Sequence, residues 1–250
     1  MLKRLYNEAR FTLSILTTGP VLVRSGFPTL TGPDMTPVLT FRNGERQVYL
    51  PGSSLKGVIR SHVEKICRTL RPDPPVVCDP FRKLKDVSRV EGGVLVCPTY
   101  ADVFCGDKFE RRTKDKFILE ADKSEWRHKE ETLTSEDAYG DSCPVCRLFG
   151  STEFIGRVSI GDAYLDSKQT VARPTELRDG VGIDRLTGGA FSRALFNLET
   201  VSSNVLFRST VHVRNFEDWQ LGMLLTAVQD MADGLVRIGS GRSRGFGSVT

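Results

Sequence analysis

Long apolar runs are missing from this sequence. No stretch of its 250 residues approaches the roughly 18 uncharged apolar side chains that a membrane span needs. The opening MLKRLYNEARFTL has neither the apolar core nor the small-residue cleavage site of a signal peptide, so a cytoplasmic location is expected. A strong excess of one charge is missing too. The 35 basic residues are offset by 31 acidic ones, and a net charge of +4 argues only weakly for a nucleic-acid partner. There is no internal repeat of roughly 20–50 residues and no low-complexity tail. Histidine is scarce, and no suitable one stands near either glycine-rich motif described below. His62 and His212 fall within an expected helix and strand and receive no catalytic role.

Six cysteines are present. In a reducing compartment they point to metal ligation rather than to disulfides. Cys143-Pro144-Val145-Cys146 has the spacing of half a tetrahedral zinc site. A thioredoxin-like redox pair would instead open a helix after a strand in a βαβ setting. The other two ligands must come from Cys67, Cys78, Cys97, Cys105 or a histidine such as His128. Cys67 falls on the apolar stripe of a helix and reads as core. Cys78 and Cys105 are favoured, with Cys97 in reserve. Structural Zn2+ on Cys78, Cys105, Cys143 and Cys146 would order a segment of weak periodicity, residues 72–142. A site closed by cysteines argues against a zinc hydrolase, which keeps a position open for water.

The remaining pattern is α+β. Arg10–Thr17 alternates as a half-buried strand, and a Gly/Pro-rich region follows from Thr18 to Thr36. Val38–Leu50 reads as a hairpin about Asn43-Gly44. A helix capped by Ser53 or Ser54 carries Leu55, Val58, Ile59, Val63, Ile66, Cys67 and Leu70 at helical spacing, and Arg71-Pro72 stops it. Phe154–Leu165 holds one strand, Val181–Thr200 a Gly-rich hairpin and Val205–Val213 another strand. Asn215 is expected to cap a second helix with Trp219, Leu221, Leu224, Leu225, Val228 and Met231 on its buried face, ending at Gly234. A short last strand follows the glycines near 245. This order suggests a ferredoxin-like sheet with two insertions.

Pro51-Gly52-Ser53-Ser54-Leu55-Lys56-Gly57-Val58-Ile59-Arg60 resembles a nucleotide loop but fails as one. A Walker A lysine is followed by Ser or Thr, and Lys56 is followed by Gly57. What survives is a helix N-terminus with unpaired N–H groups, and with Lys56 and Arg60 one turn apart, which suits a phosphate. A capped helix with two solvated cations is the plainer alternative in isolation. The second cluster, Ile238-Gly239-Ser240-Gly241-Arg242-Ser243-Arg244-Gly245-Phe246-Gly247, is too glycine-rich for an element interior and fits a sugar-phosphate backbone.

PGSSLKGVIRS, CPVCRLFGS, VGIDRLTGGAFSRALFNLETV and GSGRSRGFG occur in one order across most of the chain. Together they resemble the RAMP (repeat-associated mysterious protein) superfamily, and most closely the backbone subunit of type III CRISPR effectors. The resemblance implies one domain over 1–250, with an RRM-like, ferredoxin-like core at about 1–71 and 147–250. It also implies a cysteine-containing insertion at about 72–146 and a β-hairpin thumb at about 170–203. It implies partners as well: guide CRISPR RNA, complementary target RNA, neighbouring copies and other subunits of the complex.

On that resemblance, Ser53, Ser54, Lys56, Arg60, Gly241, Arg242, Ser243, Arg244 and Gly245 bind the guide backbone. Arg185 belongs to the thumb that interrupts the guide–target duplex. Asp34, the one acid of Gly32–Val38, corresponds to the catalytic aspartate, acting with Mg2+ or another divalent cation on the ribose 2′-hydroxyl. A non-catalytic RNA-binding subunit of the same particle, or a guide-processing endoribonuclease, stays open as an alternative.

Overall fold

The computed structural model describes residues 4–26, 32–42, 44–71, 76–78, 90–91, 94–95, 139–140, 142–151 and 154–250. The chain forms an α+β structure. Its strands are β1 (Glu8–Leu16), β2 (Leu39–Arg42), β3 (Glu45–Leu50), β4 (Val90–Glu91), β5 (Val94–Leu95), β6 (Val158–Ile160), β7 (Ala163–Leu165), β8 (Thr175–Ile183), β9 (Ala190–Val201) and β10 (Leu206–Arg214). Among the described residues the helices are α1 (Gly52–Leu70), α2 (Pro144–Phe149) and α3 (Asp218–Ala232). Two compact units result: Met1–Ala9 with Arg60–Ser159 and Val213–Leu224, and Arg10–Ile59 with Ile160–His212 and Leu225–Thr250.

The second unit is built on a sheet of order β1-β10-β7-β3-β2, and its β10–β7, β7–β3 and β3–β2 pairs are antiparallel. Period-two alternation selects the buried face. Leu13 and Ile15 of β1, Val48 and Leu50 of β3, Ala163 of β7 and Phe207 and Val211 of β10 are all buried. The β2–β3 register pairs Arg42 with Glu45 across Asn43-Gly44, as the hairpin signal requires, and Gly44 takes φ +83°. A separate two-stranded ladder joins β8 and β9 from Thr175↔Val201 to Ile183↔Ala190. It begins six residues before the hairpin expected at Val181. Gly180, which obscures the strand in sequence, sits where a Cβ would collide with the Phe196 ring.

Helix α1 buries Leu55, Ile59 and Val63 at four-residue spacing, while Leu70 is exposed. Its start differs from expectation. The helix opens at Gly52, so Ser53 and Ser54 lie inside its first turn. The Gly52 N–H instead donates to Asp162 Oδ1 at 2.8 Å, a cap supplied from 110 residues away. Gly52 is needed for packing as well, since a Cβ there would collide with the Ile160 carbonyl.

Helix α3 also corrects the sequence reading. Asn215 adopts φ 49° at the end of β10 and is not its cap. Gln220 returns its Oε1 to the Glu217 N–H at 3.0 Å, a capping-box arrangement at the helix start. The buried stripe runs through Gln220, Leu224, Ala227 and Met231, while Trp219 and Leu225 face out. Gly234 ends the segment at φ +77°, as expected. The last strand reduces to a Thr17↔Val249 bridge with reciprocal Leu16–Thr250 backbone bonds, because four glycines with positive φ precede it.

Removing the distant cap should be measurable. Asp162→Ala is expected to lower stability by about 1 kcal/mol, and Asp162→Asn, which can still accept the bond, by clearly less. Urea denaturation of the two variants checks this; equal losses would deny the cap.

Candidate nucleic-acid interface and cysteine centre

Three segments distant in sequence meet in the second unit. Asp34 Oδ2 accepts a hydrogen bond from the Asn197 N–H at 2.8 Å. The adjoining Met35 bridges Leu198 in parallel, and its carbonyl accepts from the Glu199 N–H at 2.9 Å. The acidic loop is thus laid along β9, the return strand of the β8–β9 hairpin.

The glycine loop docks beside it. Ser240 N–H donates to the Leu22 carbonyl at 2.7 Å, and Gly247 N–H donates to the Pro20 carbonyl at 2.8 Å. Leu22, Leu198 and Phe246 form a buried apolar cluster against which Met35 and Phe196 pack. Gly239 at φ +79° lets the loop approach, since a Cβ there would collide with the Leu22 carbonyl. Arg242, Ser243, Arg244 and Gly245 are exposed. Arg242 and Arg244 bound a single 3-10 turn with Gly241 and Gly245 left-handed on either side. Arg244 lies 5.5 Å over the Phe196 ring, which aims it at the hairpin base. Asn197, Phe196 and the Leu22 cluster were not singled out in the sequence, because nothing local marks a contact between residues so far apart.

The α1 start rests on different neighbours, the turn at residues 160–162, and Lys56 is half-buried there. Beyond Gly52, Gly57 opens onto free space. Arg60, expected on RNA, has a protein partner at each guanidinium nitrogen in the first unit. Nε bonds Glu64 Oε1 at 3.0 Å, one terminal nitrogen the Gly150 carbonyl at 2.9 Å, and the other Cys146 Sγ at 3.2 Å. Burial opposes its charge, but the Cys146 sulfur and the Glu64 carboxylate outweigh it and hold its pKa above the ordinary guanidinium value. The same carboxylate reaches Arg68 at 3.5 Å, and Arg68 donates to the Cys78 carbonyl at 2.9 Å. The sequence does show this brace, as Arg60, Glu64 and Arg68 at i, i+4 and i+8 on one helix.

That brace faces a buried cluster of Cys78, Cys143 and Cys146. Cys78 Sγ is 3.6 Å from Cys146 Sγ and 3.7 Å from Cys143 Sγ. Sulfurs around tetrahedral zinc, with Zn–S near 2.3 Å, lie about 3.8 Å apart, so the three thiols fit such a centre. Cys143 is the N-cap of α2, with Pro144 in the first turn and its Sγ accepting from the Cys146 N–H at 3.4 Å. Cys105, expected as the fourth ligand, and Cys97 and His128 lie outside the described residues. Cys67 stands apart from the cluster; burial, then the Cys143 sulfur, pushes its thiol up and favours the protonated form.

Arg185 sits in the exposed hairpin tip. Asp184 organises that tip: its Oδ1 accepts from the Leu186 N–H at 3.0 Å and its Oδ2 from the Thr187 hydroxyl at 2.8 Å. These bonds, the backbone one first, hold the Asp184 carboxyl below the usual range.

Two expectations follow from this geometry. Metal analysis of protein purified without chelator should find about one zinc per chain, lost in Cys143→Ser and Cys146→Ser and lost in Cys105→Ser if that residue closes the tetrahedron. The Asp184 carboxyl is lowered on folding, so its contribution is full above the free aspartate value of about 3.9 and disappears as pH falls through the lower folded value. The protection of the Leu186 amide, measured against its intrinsic exchange rate at each pH, should hold at neutral pH and fall only in that acid range.

Among the described residues no helix is long and apolar enough to cross a membrane. No curated protein matches the chain. The family model for the RAMP superfamily matches residues 14–250, which include the acidic loop, the hairpin, the cysteine pair and the glycine loop. This chain therefore belongs to the RAMP superfamily, a membership that implies a CRISPR-associated, RNA-binding role.

Proposed function

We propose that this chain is the guide-RNA-binding backbone subunit of a type III CRISPR effector, and that it cleaves complementary target RNA. The observation that carries the reading is the Asp34–Asn197 bond. It places the lone acid of its loop at the base of the hairpin and beside the cationic glycine loop. The β1–α1 and β10–α3 succession on an antiparallel sheet supports a ferredoxin-like core for the same role.

Arg242 and Arg244 with the surrounding N–H groups would grip the guide phosphates without reading bases, as a guide-loaded particle requires. The β8–β9 hairpin would serve as the thumb. Leu177, Val181, Ile183, Phe191 and Leu195 are exposed along it, and Leu186 at its tip is 96% exposed. Such apolar side chains can replace stacking at an interrupted base step. Asp34 would accept or orient the 2′-hydroxyl proton as that oxygen attacks the adjoining phosphorus. The P–O5′ bond breaks, leaving a cyclic 2′,3′-phosphate and a 5′-hydroxyl.

Asp34 fits a divalent cation as one ligand among several, since Mg2+ takes one or two carboxylates with waters and substrate phosphates. Its Oδ1 has no protein partner among the described residues. A cation bound there would supply charge stabilisation at the phosphoryl oxygens. Structural zinc on Cys78, Cys143 and Cys146, with Cys105 as fourth ligand, completes the proposal, along with guide and target RNA, neighbouring copies and other subunits as partners.

The test is an assembled, guide-loaded complex. Asp34→Ala should reduce target cleavage by about a hundredfold or more with guide binding unchanged. Undiminished cutting would remove the assignment of Asp34. Arg242→Ala with Arg244→Ala should weaken RNA affinity and flatten its salt dependence by about one to two phosphate contacts.

A further inference from the structure

The outward face of the sheet carries a feature that the backbone grip and Asp34 do not use. A depression of about 650 Å³ is lined by Arg42, Gln47, Asp162, Tyr164, Asp166 and Arg208, among others. The register pairs Tyr49 of β3 directly with Tyr164 of β7. Their rings stack at 5.9 Å between centroids and 20° between planes. The Arg42 guanidinium lies 4.3 Å from the centre of the Tyr164 ring. The Tyr164 ring thus stacks on Tyr49 and carries the exposed Arg42 guanidinium over its face, at the mouth of a cavity of ligand size.

Charge decides what class of ligand this suits. Arg208 is paired with Asp166 at 2.8 Å, and the Arg208 bond, followed by the Lys168 N–H, holds the Asp166 carboxyl below the usual range. Asp162 accepts from the Tyr164 hydroxyl at 3.3 Å and adds a second negative charge. Two carboxylates thereby offset Arg42 and Arg208, which makes a poor phosphate site. A neutral, planar heterocycle meets no such opposition: as the exposed Arg42 side chain swings aside, it can stack on the Tyr164 ring and offer its edge to Gln47 and Thr210.

We infer that this face holds an unpaired nucleobase of single-stranded RNA, stacked on the Tyr164 ring in the place that the exposed Arg42 guanidinium takes in the free protein. The site is separate in its residues from the glycine loop and from Asp34. The inference rests on the RNA-binding reading above and adds to it a subsite that recognises bases rather than phosphates. Tyr164 would be a binding residue and Tyr49 its support.

The probes are a mixed-sequence single-stranded RNA oligonucleotide and an abasic oligonucleotide of the same length, followed by fluorescence anisotropy on the full chain. Tyr164→Ala should weaken the base-containing RNA by about fivefold or more and leave the abasic strand unchanged, whereas Tyr164→Phe should match wild type on both. In wild-type protein, RNA carrying 5-iodouridine should photocrosslink to Tyr164 or Tyr49, located by mass spectrometry. This second readout holds even if Tyr164→Ala fails to fold. No crosslink at either tyrosine, or equal losses on both strands, would overturn the inference. If Arg242→Ala with Arg244→Ala still weakens RNA in that case, the backbone-binding reading stands and only the base site is lost. If wild type binds neither oligonucleotide, both are overturned.

Discussion

The contact among Leu22, Leu198 and Phe246 is the constraint on which the candidate RNA surface depends. One residue comes from the segment after β1, one from the hairpin and one from the glycine loop. Burying them together fixes two otherwise irregular segments against the hairpin, and backbone bonds from Ser240, Gly247 and Glu199 set their register. A glycine-rich loop loses much conformational freedom on ordering. Here that loss is offset by a buried aromatic side chain and by N–H groups that reach carbonyls of the neighbouring segment. The arginines of the loop, by contrast, stay exposed at its rim.

The other unit sets a sulfur cluster among buried hydrocarbon such as Val63, Val145, Leu148 and Phe149. Cys78, Cys143 and Cys146 are buried together, and the Arg60–Glu64–Arg68 ladder of α1 meets them with cationic donors. A guanidinium at a thiol favours the thiolate, the form that ligates metal. The ladder stands where supporting donors would stand if those sulfurs held a metal ion.

Local signals were legible in the sequence. The Asn43-Gly44 hairpin, the extent of α1, the Gly234 terminator and the pairing potential of Cys143 and Cys146 follow from chemistry within a few residues, and each reappears in the structure. The misplacements share a cause. Ser53 and Ser54 were natural caps, yet the donor at the helix start is taken by Asp162, which no local pattern connects to it. Nothing local shows that Arg60, expected on RNA, also holds Cys146 and Gly150, which lie far along the chain. Apolar spacing runs the α3 stripe through Trp219 and Leu225, whereas a buried position is Gln220, a polar residue satisfied by Tyr139 and Glu217. Hydrophobicity could not have nominated it. Family motifs, by comparison, pointed correctly to the superfamily because they record several such distant contacts at once.

The anchor for Asp34 is a main-chain amide rather than the side chain of Asn197. Every amino acid except proline carries that N–H. Position 197 therefore has wide latitude to drift without disturbing how the carboxylate is held, while proline alone would cut the tether. An anchor of this kind survives sequence change, and it would be invisible to any search that looks for preserved side-chain pairs.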